Sequence, residues 1–90
     1  MNERREIHYS SRVQGVGFRF TTQSLAREFP VTGYVQNLSD GRVRLVIEGV
    51  PAALDGLEAR IEAEMRGYIS GKDASPGPAT GEFDDFSVRH

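Results

Sequence analysis

Val13-Gln14-Gly15-Val16-Gly17-Phe18-Arg19 joins two stretches of different period, and the change of period across it decides the fold. Before it, Ile7, Tyr9 and Val13 alternate with His8, Ser10 and Arg12, which predicts a strand over about 6 to 13, interrupted on its apolar side only by Ser11. After it, Phe18, Leu25, Ala26 and Phe29 recur at helical spacing and predict a first helix over roughly 18 to 29. Pro30 ends that helix, because proline disfavours the α region for the residue before it. Strand, glycine loop and helix therefore follow one another directly.

Working outward, a second strand is expected over about 32 to 38 and a third over about 42 to 49, joined by Ser39-Asp40-Gly41, turn residues that tolerate positive φ. In the third strand Val43, Leu45 and Ile47 share one face, while Arg42, Arg44 and Glu48 share the other, the pattern of a sheet with helices on one side only. Val46 is the exception. Pro51 suits a first helical turn, and Leu54, Leu57, Ile61 and Met65 mark a second helix over about 51 to 66, ahead of Gly67. A short fourth strand is expected near 68 to 73 and a loop over 74 to 81, where Pro76, Gly77 and Pro78 cluster. The tail ends in a strand with Phe86 and Val88 inward. The order βαββαβ with a terminal strand predicts an α+β, ferredoxin-like sandwich: an antiparallel sheet of four to five strands with two helices on one face. That fold alone says little about function.

Ninety residues, 38% of them hydrophobic and 27% charged, are expected to form one domain over 1–90. A net charge of -2 and a pI near 5.6 give no general attraction to nucleic acid or anionic lipid, so any anion site has to be built locally. The absence of cysteine excludes disulfides, thiolate metal sites and cysteine nucleophiles together. Met1 to Glu6 lacks the apolar stretch of a signal peptide, and the expectation is a cytoplasmic monomer without membrane or nucleic-acid partners.

Glycines at 15 and 17, between a strand and a helix start, let successive N–H groups turn toward one point, where the positive end of the helix dipole also favours an anion. By itself such a pair reads as a tight βα connection. Arg19 changes the balance, because a cation in the first helical turn opposes the macrodipole by about 0.3–1 kcal/mol unless a bound anion reverses the sign. A guanidinium beside a phosphate makes paired, charge-assisted hydrogen bonds. Asn37 stands near a strand end, where asparagine is a poor β former. Its side chain suits either local turn bonding or the orientation of a water, since the amide is both donor and acceptor.

His8 and His90 are isolated and lack metal-ligand spacing, so no metal is expected. Glu58, Glu62, Glu64, Asp84 and Asp85 read as solvated faces, and Ser10, Ser11, Thr21 and Thr22 have no activating histidine indicated. RNA binding is the alternative from another class, invited by Arg42 and Arg44 on the exposed sheet face. The third strand, however, carries no aromatic residue on which bases would stack.

The loop stretch quoted at the outset resembles the first signature of the acylphosphatase family. Gly33-Tyr34-Val35-Gln36-Asn37, continuing through Gly41, Val43 and Gly49, resembles its second. The element order resembles the family across essentially the whole chain. The resemblance implies hydrolysis of an acyl phosphate, such as acetyl or carbamoyl phosphate, by direct attack of water and without metal or other cofactor. It implies that Arg19 binds the phosphate, that the backbone amides of Gly15, Val16, Gly17, Phe18 and Arg19 cradle it, and that Asn37 positions the water. Ser11, where the family pattern has glycine, and Tyr9, where an aliphatic residue is common, depart from it. In some relatives the C-terminal carboxylate pairs with the arginine, which makes His90 a position to inspect. A second reading within the resemblance is a domain handling carbamoyl phosphate for a larger maturation protein; read as free-standing, the chain is expected to be the enzyme instead.

Overall fold

The computed structural model describes residues 2–90, with the side chain of Ser11 outside what is described. Its elements run β1 (Glu3–Ser11), α1 (Phe18–Ala26), β2 (Thr32–Asn37), β3 (Val43–Gly49), α2 (Pro51–Glu64), β4 (Ile69–Pro78) and β5 (Phe86–Arg89). The five strands form one sheet in the order β4-β1-β3-β2-β5. β1 through β4 pair antiparallel, as expected, whereas β5 lies parallel to β2 and makes the sheet mixed. The 79–85 connection reaches β5 by joining the two edge strands, β4 and β5, across the sheet.

Both helices lie on one face because their apolar residues repeat on one side. Phe18, Thr22, Leu25 and Ala26 are buried on α1, and Ala53, Leu54, Leu57 and Ile61 on α2. These meet Ile7, Tyr9, Val35, Val43, Leu45 and Ile47 from the strands, with Phe86 and Val88 packed against the cluster as expected. α1 stops at Ala26 rather than 29, but the chain stays wound to Phe29. The N–H groups of Glu28 and Phe29 bond to the carbonyls of Leu25 and Ala26, the tighter spacing of a last helical turn before Pro30. No described helix is long and apolar enough to cross a membrane.

Further expectations are corrected. The 74–78 segment is strand, not loop, paired with Glu3 to Ile7 of β1. Pro76 and Pro78 are compatible with it because β4 is an edge strand, on which every second N–H points away from the ladder, and two prolines two residues apart can share those outward positions. The sheet face opposite the helices is also not open. The 79–85 connection crosses it, with Thr80 and Gly81 donating backbone N–H bonds to Glu48 (2.9 and 3.0 Å) and the Phe83 ring 5.8 Å from that of Tyr34. Val46, the apolar exception on that face, is consequently buried. Gly33 in β2 has φ 139°, and a Cβ there would collide with the Val46 carbonyl, so the strands approach this closely only through glycine.

Glu58 is likewise no solvated residue. It is buried between Arg5 (2.6 Å) and Lys72 (2.8 Å), and Lys72 also reaches Glu62 at 2.7 Å. Glu64, Asp84 and Asp85 are exposed, as expected of them.

Candidate active site

The turn into α1 is made by Gly15 and Gly17, with φ of 77° and 78°, values that place a Cβ against the neighbouring carbonyl in any other residue. No side chain caps the helix at Gly17, and its first turn holds no acidic residue. The N–H of Thr21 bonds to the Gly17 carbonyl at 2.9 Å, so the N–H groups of Phe18, Arg19 and Phe20 come before the helical ladder starts. They stand at a cleft of about 210 Å³ lined by Gly15, Gly17, Phe18, Arg19, Phe20 and Asn37. Val16 is not part of that lining, and its side chain is exposed.

Gln14 is what brings Asn37 to the loop. Its side-chain amide donates to the carbonyls of Leu38 (2.7 Å) and Arg42 (2.9 Å), tying the glycine loop to the β2–β3 turn. The turn is closed by the Leu38 N–H on the Arg42 carbonyl and by Asp40, whose carboxylate accepts the Arg42 N–H at 3.0 Å. Asn37, the last residue of β2, is thereby held at the cleft. Its Oδ1 is buried and has no hydrogen-bond partner among the described residues. The role of Gln14 was not read from the sequence; its signal was a long amide between buried Val13 and a glycine turn.

Tyr9 supports the site from below. Its ring is wholly buried 5.4 Å from that of Phe18, the first helical residue, and its hydroxyl donates to Glu62 at 3.2 Å. Burial, followed by the charges of Glu62 and Glu58, raises the phenol above its ordinary value and keeps the O–H a donor. The departure from an aliphatic residue therefore fits the packing beneath the loop. The departure at Ser11 concerns a side chain outside the described residues.

Arg19 meets the tail. Its Nη1 donates to the Arg89 carbonyl at 3.1 Å and lies 3.1 Å from Nδ1 of His90, which accepts when the neutral ring carries its proton on Nε2. The contact thus runs through a carbonyl and a ring nitrogen rather than a carboxylate. His8 stands instead on the second sheet face, 3.7 Å from Glu6. Among the described residues no group of three or more His, Cys, Asp or Glu is arranged to hold a metal ion.

On the second sheet face the Tyr34 ring is buried. Arg44 bonds Gln36 at 3.1 Å, Arg42 pairs with Asp40 at 2.9 Å, and the guanidinium of Arg89 lies 3.8 Å above the Tyr34 ring. The family model for acylphosphatase matches residues 5–88, through both halves of the cleft. The chain belongs to the acylphosphatase family. An acylphosphatase of Marinobacter nauticus is 45% identical to it over 82 residues, 90% of this chain and 89% of the relative. The crystal structure of an acylphosphatase from Bacillus subtilis superposes over 100% of both chains with a TM-score of 0.89 at 28% identity. A structure of full-length HypF, in a phosphate- and nucleotide-bound form, shares the fold alone. There the TM-score is 0.86 at 23% identity, over 100% of this chain and 12% of the other.

Proposed function

We propose that this member of the acylphosphatase family hydrolyses acyl phosphates with Arg19 as the phosphate-binding cation and Asn37 as the residue that places the attacking water. The observation that carries this reading is the one cleft at which an uncapped, glycine-turned helix start, a guanidinium and Asn37 meet. The dianionic phosphoryl group accepts bonds from loop amides and from Arg19. The side-chain amide of Asn37, at the cleft wall, holds the water and directs its oxygen at phosphorus. Attack forms the new P–O bond as the bond to the acyl oxygen breaks. The carboxylate departs unprotonated, and the proton released by the water is left on inorganic phosphate. Because a carboxylate is a good leaving group, positioning and stabilisation of the equatorial oxygens do the work without a base or a metal.

Gly15 through Arg19 supply the cradle in this reading, with Gly15, Gly17, Phe18 and Arg19 already at the cleft. Residues 1–90 act as one domain, a monomer in the cytoplasm. Benzoyl phosphate incubated with pure protein in excess EDTA tests the whole: phosphate release at an undiminished rate is expected. No release, or release only after a divalent metal is restored, would sink it.

A further inference from the structure

We infer that Phe20 and the groove beside it bind the acyl group of the substrate and make the enzyme selective for uncharged, apolar and above all aromatic acyl phosphates. The inference rests on the catalytic reading just given and adds the substrate class. Phe20 directly follows Arg19 in the first turn of α1, yet its ring is 63% exposed, the most exposed of the large apolar side chains described. It forms part of the phosphate cleft and also part of a second groove of about 430 Å³, lined by Thr21, Ser24, Leu25 and Glu64 between the start of α1 and the end of α2. Phe20 is thus the surface shared by the two.

In-line displacement gives that arrangement a direction. The leaving oxygen stands opposite the attacking water. Asn37 lines the cleft but not the second groove, so with water on the Asn37 side the acyl group points away from it. Phe20 lines both, so the groove lies directly beside the cleft on the side of the α1 start. A flat apolar ring there suits an aryl or alkyl acyl group by offset or edge contact, while Leu25 extends the apolar floor. Glu64 is the one charged residue of the lining and disfavours an acyl group with a second carboxylate.

Steady-state rates with benzoyl, acetyl and succinyl phosphate test this. Phe20→Ala is expected to lower the ratio of kcat/KM for benzoyl over acetyl phosphate by about fivefold, mainly through KM for benzoyl phosphate. Phe20→Leu, which keeps apolar area, should lower it less. Glu64→Gln is expected to raise the succinyl over acetyl ratio by about threefold. An unchanged benzoyl to acetyl ratio in Phe20→Ala overturns the inference, as does an equal loss on both substrates, which makes Phe20 a support of the phosphate cleft alone. Failure of the wild-type protein on all three substrates overturns the catalytic reading and this inference with it.

Discussion

Asn37 stands at the cleft wall, and its Oδ1 has no hydrogen-bond partner among the described residues. Asn37→Ala removes no side-chain hydrogen bond found among the described residues, so it is expected to leave thermal stability nearly unchanged while lowering kcat by about 10²-fold or more. Calorimetry and kinetics on the same sample decide this. A variant that unfolds early, or one that turns over normally, would count against the role. Arg19 differs, because the Arg89 carbonyl and the His90 ring orient its planar fork before substrate arrives. Arg19→Lys keeps the charge but not the fork and should fall nearly as far as Arg19→Ala in kcat/KM. Arg19 was legible in the sequence, since a cation at a helix start asks for an explanation. Asn37 was legible only by resemblance, because strand spacing does not say which loop a strand end faces.

At the scale of elements, the site is a junction between the β1–α1 loop and the β2–β3 turn, fastened by Gln14. Replacing Gln14 with leucine leaves the Leu38 carbonyl without that donor and lets the turn drift from the loop. The expected outcome is a loss of about 1–3 kcal/mol in unfolding free energy, together with a kcat loss greater than the rise in KM. Denaturant titration and steady-state kinetics measure both. Lost stability with an intact kcat would make Gln14 a fastener of the fold only. The helices and the β2–β3 hairpin were legible because period, proline and turn residues agree locally. The 74–78 part of β4 was not, because Pro76, Gly77 and Pro78 read as loop until β1 pairs with them. Pairing is a property of the partner strand, not of the segment.

Across the whole molecule, the 79–85 connection ties the far edge strand β4 to β5 and carries the tail to Arg19, and Glu48 anchors it. Burial acts to raise the Glu48 carboxyl, but the N–H groups of Thr80 and Gly81, the Thr80 hydroxyl and Arg4 outweigh it and hold the value at about 2, against an ordinary 4.5. A carboxyl lowered on folding contributes stability above its unfolded value and loses it as pH falls through the folded one. The contribution, about 3 kcal/mol at neutral pH, should therefore disappear between about pH 4.5 and 2. Glu48→Gln should lower stability at pH 7 and flatten the acid limb over that window. An acid limb identical to that of the wild type would show that the anchor lies elsewhere. The sequence by itself determined the element order, the glycine loop, the charged helix start and the family, because these are written in local period and contiguous motifs. Only the tertiary structure decided that the second sheet face is covered, that β5 is parallel, that Gln14 fastens the β2–β3 turn, and that Asn37 and the tail come to Arg19. Each of those depends on residues far apart in the chain, and their meeting is fixed by strand register and by the path of the crossing connection.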